Sequence, residues 1–119
     1  MKTHDWPEVA SALTAALKPL RSGAEEPMKA FSALARSATQ NGALDSKTKE
    51  LIAFAIAVAT RCDGCIAFHA EAANRYGATR DEVLETMGMA IYMGAGPSVM
   101  YAAQALEAFD QFAQQRPEG

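Results

Sequence analysis

The sequence predicts an all-α domain, a compact bundle of about six helices spanning residues 1–119. Three observations lead there. Half of the 119 residues are apolar and alanine is abundant, a composition that favours helix because alanine loses no side-chain entropy in one. Runs of β-branched and aromatic residues with alternating polarity are absent. Capping residues, prolines and glycines recur at helix-length intervals.

The first helix starts at Asp5, which can cap, with Pro7 in the first turn where a missing N–H does no harm. Val9, Leu13, Leu17 and Leu20 form its apolar stripe, and Lys18-Pro19 is expected to end or bend it. His4 and Trp6 read as an exposed histidine and a docking tryptophan. After a polar connection from Arg21 to Glu26, a second helix is expected to open near Pro27. It runs through Met28, Phe31, Leu34 and Ala35 to a left-handed stop at Asn41-Gly42.

Asp45 or Ser46 caps the third helix, and Lys47, Lys49 and Glu50 make its first turns polar. The nine residues Leu51–Ala59 are then apolar without a break. A helix apolar all round is buried, yet short helices in so small a chain hardly enclose one. Part of it is expected to pack on another subunit. Asp63, as a capping carboxylate, and Gly64 look like a helix start. The fourth helix carries the cysteines and His69, continues through Ala70, Ala73 and Tyr76, and stops at Gly77.

Thr79-Arg-Asp-Glu82 is a capping box opening the fifth helix, which presents Val83, Leu84, Met87, Ile91 and Tyr92. Gly94-Ala-Gly-Pro97 is expected to break the chain before a sixth helix through Val99, Met100, Ala103, Leu106, Phe109 and Phe112. Gln114 to Gly119 is expected to fray. Tyr76, Tyr92, Tyr101, Met87, Met89, Met93 and Met100 read as core rather than pocket lining.

The net charge of −3 and the lack of a basic stripe argue against nucleic-acid binding. The longest apolar run is far short of a membrane span. The first residues lack the apolar core of a secretory signal, so a cytoplasmic location is the expectation. There, a Cys-x-x-Cys pair points to redox or metal chemistry rather than a structural staple.

The reactive groups sit together in sequence. Cys65 lies three residues past Cys62, and His69 four past Cys65, so on one helix they share a face. Thiols at a helix start meet unpaired N–H groups and the positive end of the dipole, which favour thiolate. Three readings compete. In thiol redox chemistry one thiolate attacks and the second closes a disulfide behind it, with His69 handling the proton. A metal site would have three ligands where structural zinc takes four. The third reading has two small buried residues beside an unrelated histidine. The joint spacing favours redox. Glu50, taken alone, reads as a solvated residue in a first helical turn.

Lys-x-x-Glu50, the apolar helix, Cys62-x-x-Cys65, His69 and the Gly77-Ala-Thr-x-x-Glu82 segment together resemble the alkylhydroperoxidase D-like branch of the carboxymuconolactone decarboxylase family. The resemblance spans roughly residues 28–108. It implies an all-helical fold that assembles into homo-trimers or hexamers, with the cysteines near subunit contacts. It also implies a thiol peroxidase or disulfide oxidoreductase with a hydroperoxide or disulfide substrate and an external dithiol donor, without cofactor or metal. By this resemblance Glu50 and His69 form a proton relay, often through water. Cys65 attacks the peroxide and Cys62 resolves the sulfenic acid, whereas helix-terminus electrostatics favour Cys62 as the more acidic thiol. Some peroxidase members carry a second histidine between the cysteines, where this chain has Gly64. The lactone decarboxylases generally lack the cysteine pair, which makes a lyase the less favoured inheritance. A redox-sensing or scaffolding oligomer is the alternative from another class.

Overall fold

The computed structural model describes residues 1–116. Among them are five α-helices: α1 (Trp6–Gly23), α2 (Glu25–Thr39), α3 (Ser46–Ala59), α4 (Asp63–Arg75) and α5 (Arg80–Gln115). Gln114 and Gln115 are still helical, and the rest of the tail expected to fray lies largely outside the described residues.

The all-α class is as expected. The expected break at Gly94-Ala-Gly-Pro97 is also present, because at Ala95 the backbone leaves the helical region (φ 56°, ψ −141°), and α5 consists of two limbs that are the expected fifth and sixth helices. Arg80 on the first limb pairs with Asp110 on the second, Nε to Oδ1 at 3.0 Å and Nη2 to Oδ2 at 3.1 Å. A straight helix would hold these residues about 45 Å apart. The limbs therefore run back along each other.

Most helix starts follow the side-chain signals. Asp5 Oδ1 accepts from the Glu8 N–H at 3.2 Å, and Asp45 Oδ1 from the Thr48 N–H at 2.8 Å. The capping box is reciprocal: the Glu82 N–H donates to Thr79 Oγ1 at 3.1 Å, and the Thr79 N–H to Glu82 Oε1 at 2.8 Å.

Three boundaries differ from expectation. α1 continues through Lys18-Pro19 to Gly23. Proline costs the helix one hydrogen bond, to the Ala15 carbonyl, but Ala15 is exposed and water can serve that group. α2 opens at Glu25, so the expected polar connection shrinks to Ala24. Pro27 falls in its first turn, where amides lack intrahelical partners anyway. At its other end α2 stops at Thr39, with Gln40 extended (φ −65°, ψ 149°) and no left-handed stop at Asn41-Gly42. Asn41 instead accepts from the Ser46 N–H at 2.7 Å and helps start α3.

The core lies where α3, α4 and α5 meet. Phe54, Val58, Ile66 and Val83 fill it, and Ala67, Ala70 and Ala73 on α4 let the neighbouring helices approach closely. Asn74 Nδ2 donates to the carbonyls of Ala70 and Phe109 at 3.1 and 3.0 Å, tying α4 to the second limb of α5. α1 lies across α4 and α5 with Trp6 fully buried, the docking role expected of it.

Large apolar surfaces face outward. α3 buries Phe54, Ala57 and Val58, while Ile52 and Ile56 are 45% and 55% exposed. α2 touches only α1 and α3 and buries none of its residues, leaving Phe31 and Leu34 each 63% exposed. Met87 belongs to the core, but Met89, Tyr92, Met93 and Met100 do not, with Tyr92 78% exposed. The core reading of those residues is corrected: their positions on α5 have nothing in the described chain above them. Among the described residues, no helix is long and apolar enough to cross a membrane.

Candidate functional site: a cysteine turn beside a carboxylate–imidazole pair

The site is made by the reversal between α3 and α4. The Thr60 N–H donates to the Ile56 carbonyl at 2.8 Å and closes α3. Arg61 then takes left-handed backbone (φ 56°), which costs a residue with a Cβ roughly 1–2 kcal/mol. The Cys62 N–H donates back to the Ala57 carbonyl at 3.1 Å. These bonds turn the chain within three residues, and α4 returns along α3.

Cys62, not Asp63, is the residue that caps α4. Its Sγ accepts from the Cys65 N–H at 3.1 Å. Because the turn at Arg61 brings the chain into register one residue early, the sulfur reaches the amide that a carboxylate at Asp63 was expected to take. Asp63 becomes the first helical residue, an exposed acid at the positive end of the dipole. Cys62 and Cys65 are joined as a disulfide with their Cα atoms 5.2 Å apart. Both are half-buried, and Cys65 packs against the core.

Gly64 lies between them. A Cβ added there would sit 2.8 Å from Leu13 Cδ1, so the Leu13 side chain would have to shift to admit one. Sequence reading placed Leu13 in the core stripe of the first helix and gave it no part here. No local signal connects residues that far apart in the chain.

The same reversal brings Glu50 and His69 together. Both face the α3–α4 interface, and His69 Nδ1 lies 2.7 Å from Glu50 Oε2. The Glu50 side chain is buried, whereas that of His69 is 32% exposed. An ionised carboxylate can only accept, so a hydrogen bond to it uses the Nδ1 proton and leaves Nε2 for other partners. Cys65 and His69 stand four residues apart on α4, one turn from each other. All four residues singled out from the sequence thus belong to one helical hairpin. In the disulfide state both sulfurs are bonded to each other. No group of three or more His, Cys, Asp and Glu side chains among the described residues is arranged to hold a metal.

Comparison with known proteins bears on the family and the fold. Residues 25–108 match the model of the carboxymuconolactone decarboxylase family. A crystal structure of an apo carboxymuconolactone decarboxylase family protein from Legionella pneumophila superposes with a TM-score of 0.88 at 54% identity, covering 91% of this chain and 96% of that one. An uncharacterized protein of Cupriavidus necator is 47% identical over 83 residues, 70% of this chain and 74% of its own length. An uncharacterized protein of Haemophilus influenzae is 40% identical over 105 residues, 88% and 93% of the respective lengths.

Proposed function

The chain belongs to the carboxymuconolactone decarboxylase family, and on that footing we propose that it is a thiol peroxidase, reducing hydroperoxides through Cys62 and Cys65. The observation that carries this reading is the Glu50–His69 pair at 2.7 Å, set one helical turn from a cysteine whose disulfide partner caps the same helix. A cysteine thiol is mostly protonated at neutral pH and needs a base to become the nucleophile.

In the proposed cycle, His69 Nε2 takes the Cys65 proton while Glu50 holds the imidazole through Nδ1. The Cys65 thiolate attacks one peroxide oxygen, and the O–O bond breaks. The alcohol leaves with the proton from His69, and Cys65 becomes a sulfenic acid. Cys62 then attacks that sulfur, water departs and the disulfide forms. An external dithiol reduces it by two exchange steps, which returns both thiols. In this reading the Cys62–Cys65 disulfide is the oxidised stage of the cycle.

The cap position of Cys62 favours a second use of the same groups. Its sulfur faces the first amides of α4, which stabilise a thiolate there. Cys62 is therefore the better leaving group in thiol–disulfide exchange, as a disulfide oxidoreductase or redox-sensing oligomer would need.

We also propose a homo-oligomer, a trimer or hexamer. The exposed faces of α2, α3 and α5 support it, together with an open apolar groove of about 290 Å³ between the limbs of α5, lined by Leu84, Met87, Ile91, Val99, Ala102 and Leu106. Faces of this kind on one small chain are those that association covers.

The deciding experiment follows hydroperoxide consumption with several dithiol donors, for the wild type, Cys62→Ser and Cys65→Ser. Turnover in the wild type, lost in both variants, supports the peroxidase. Reversible disulfide exchange without peroxide consumption leaves the second use. Thiols that stay free under mild oxidant in a folded chain would end both.

A further inference from the structure

We infer that α1 is a latched cover over the cysteine turn, and that Leu13 is the positioning residue through which it acts. The inference rests on the thiol-redox reading above, because a cover matters only to a disulfide that opens and closes.

The contact lies between the two cysteines. Leu13 Cδ1 fills the space in which a Cβ on Gly64 would stand, at 2.8 Å. The Gly64 side of the turn is therefore occupied by a methyl group from another helix, which keeps water and reagents from that direction. Leu13 and Gly64 are both half-buried, so the cover is seated without sealing the turn.

The latch is at the other end of α1. The Trp6 indole N–H donates to Glu107 Oε1 at 2.8 Å, and the Trp6 backbone N–H to Gln111 Oε1 at 2.7 Å. Gln111 Nε2 donates to the His4 carbonyl at 2.8 Å, and the Thr3 N–H to Glu107 Oε2 at 2.9 Å. Leu13 is seven residues beyond Trp6, about 10 Å along the helix. Val9 and Ala10 between them pack on the core. Glu107 and Gln111, on the second limb of α5, thus set where Leu13 lands on α4.

The chemical consequence follows from how disulfides are opened. An incoming thiolate attacks one sulfur along the S–S axis. A new S–S bond forms as the old one breaks, and the electron pair leaves on the second sulfur as thiolate. A methyl group seated against the turn narrows the approach to these sulfurs and holds the first turn of α4 closed while the exchange occurs. Unlatching α1 opens the turn.

The test uses the full-length oxidised protein and dithiothreitol as probe, reading the second-order rate of disulfide reduction. Leu13→Ala is expected to speed reduction about tenfold, as when a local opening is no longer required. Gly64→Ala is expected to act in the same direction, because its Cβ displaces Leu13. The double variant should be no faster than the faster single one, since both changes remove the same contact. Glu107→Ala should speed reduction through the latch, and Leu13→Met should restore the slow rate. Each acceleration should be independent of low urea concentrations. Acceleration that instead grows with urea in step with lost global stability would assign it to unfolding and overturn the cover. Rates equal to wild type in Leu13→Ala and Gly64→Ala would overturn it too, as would effects that multiply in the double variant. If the wild-type disulfide is reduced and re-formed while these variants match it, only the cover fails. If it cannot be reduced without unfolding the chain, the redox reading fails and takes the cover with it.

Discussion

Glu50 Oε2 and His69 Nδ1 stand 2.7 Å apart across a helical hairpin, nineteen residues from each other in the chain. In the proposed cycle Nδ1 bonds the carboxylate and Nε2 exchanges the proton. His69→Gln is expected to slow peroxide reduction about 10²-fold, the scale on which loss of a general base acts. Glu50→Gln keeps a polar partner of the same shape but removes the charge beside the ring, so a smaller loss is expected. Rates of peroxide reduction and thiol alkylation against pH check both. Unchanged profiles in the two variants would leave the pair a packing feature.

The Glu107 latch makes the docking of α1 acid-sensitive. Burial pushes the Glu107 carboxyl up, but the Thr3 hydroxyl and N–H, the Trp6 indole and the His4 N–H together outweigh it and hold the group below its ordinary value. A carboxyl depressed in the folded state contributes stability that is complete above its unfolded pKa. That contribution is lost as pH falls through the folded one. Trp6, the single tryptophan, should therefore report undocking by fluorescence below about pH 4. Glu107→Gln should remove that step from the titration. A step that survives in the variant would assign it elsewhere.

Ala95 carries the fold of α5 in a backbone conformation that suits glycine (φ 56°, ψ −141°). Ala95→Gly is expected to raise stability by about 1 kcal/mol, relief of strain outweighing the added freedom of the unfolded chain. Gly94→Ala should lower it, because a Cβ at position 94 would collide with the Ser98 hydroxyl. Urea unfolding of both variants decides the matter, and equal shifts of the same sign would contradict this account of the bend.

The exposed face of α3 offers the simplest test of assembly. Ile56 is 55% exposed on a helix with no carboxylate on that side of its last turns. Ile56→Glu should lower the sedimentation coefficient toward that of a single chain while helicity is retained, because a charge in an apolar contact loses its water without gaining a partner. A wild type that already sediments as a folded monomer at micromolar concentration would remove the premise.

The sequence was most legible where a single side chain answers a nearby amide. Asp5, Asp45 and the Thr79–Glu82 pair cap as their types dictate, and Cys62, Cys65, His69 and Glu50 share one hairpin because helical spacing and one chain reversal suffice to bring them together. The failures have physical causes. Cys62 caps in place of Asp63 because Arg61 accepts a left-handed backbone, which local preference weighs against. Pro19 does not stop α1 because the carbonyl it orphans faces water. Met89, Tyr92, Met93 and Met100 on α5 look like core by type, yet what lies above a helix face is not written in its own residues. The contact of Leu13 with Gly64 is of the same kind.

The order of synthesis runs against the order of docking. The carboxylate that receives the Trp6 indole is 101 residues downstream of it, and α4 and α5, against which α1 packs, are made after it. A nascent chain therefore carries α1 as an amphipathic segment without a home until the second limb of α5 has emerged. A ribosome stalled before Glu107 would present that segment, indole included, to chaperones and proteases. Emergence of the second limb of α5 gives the Trp6 end of that segment a surface to dock on.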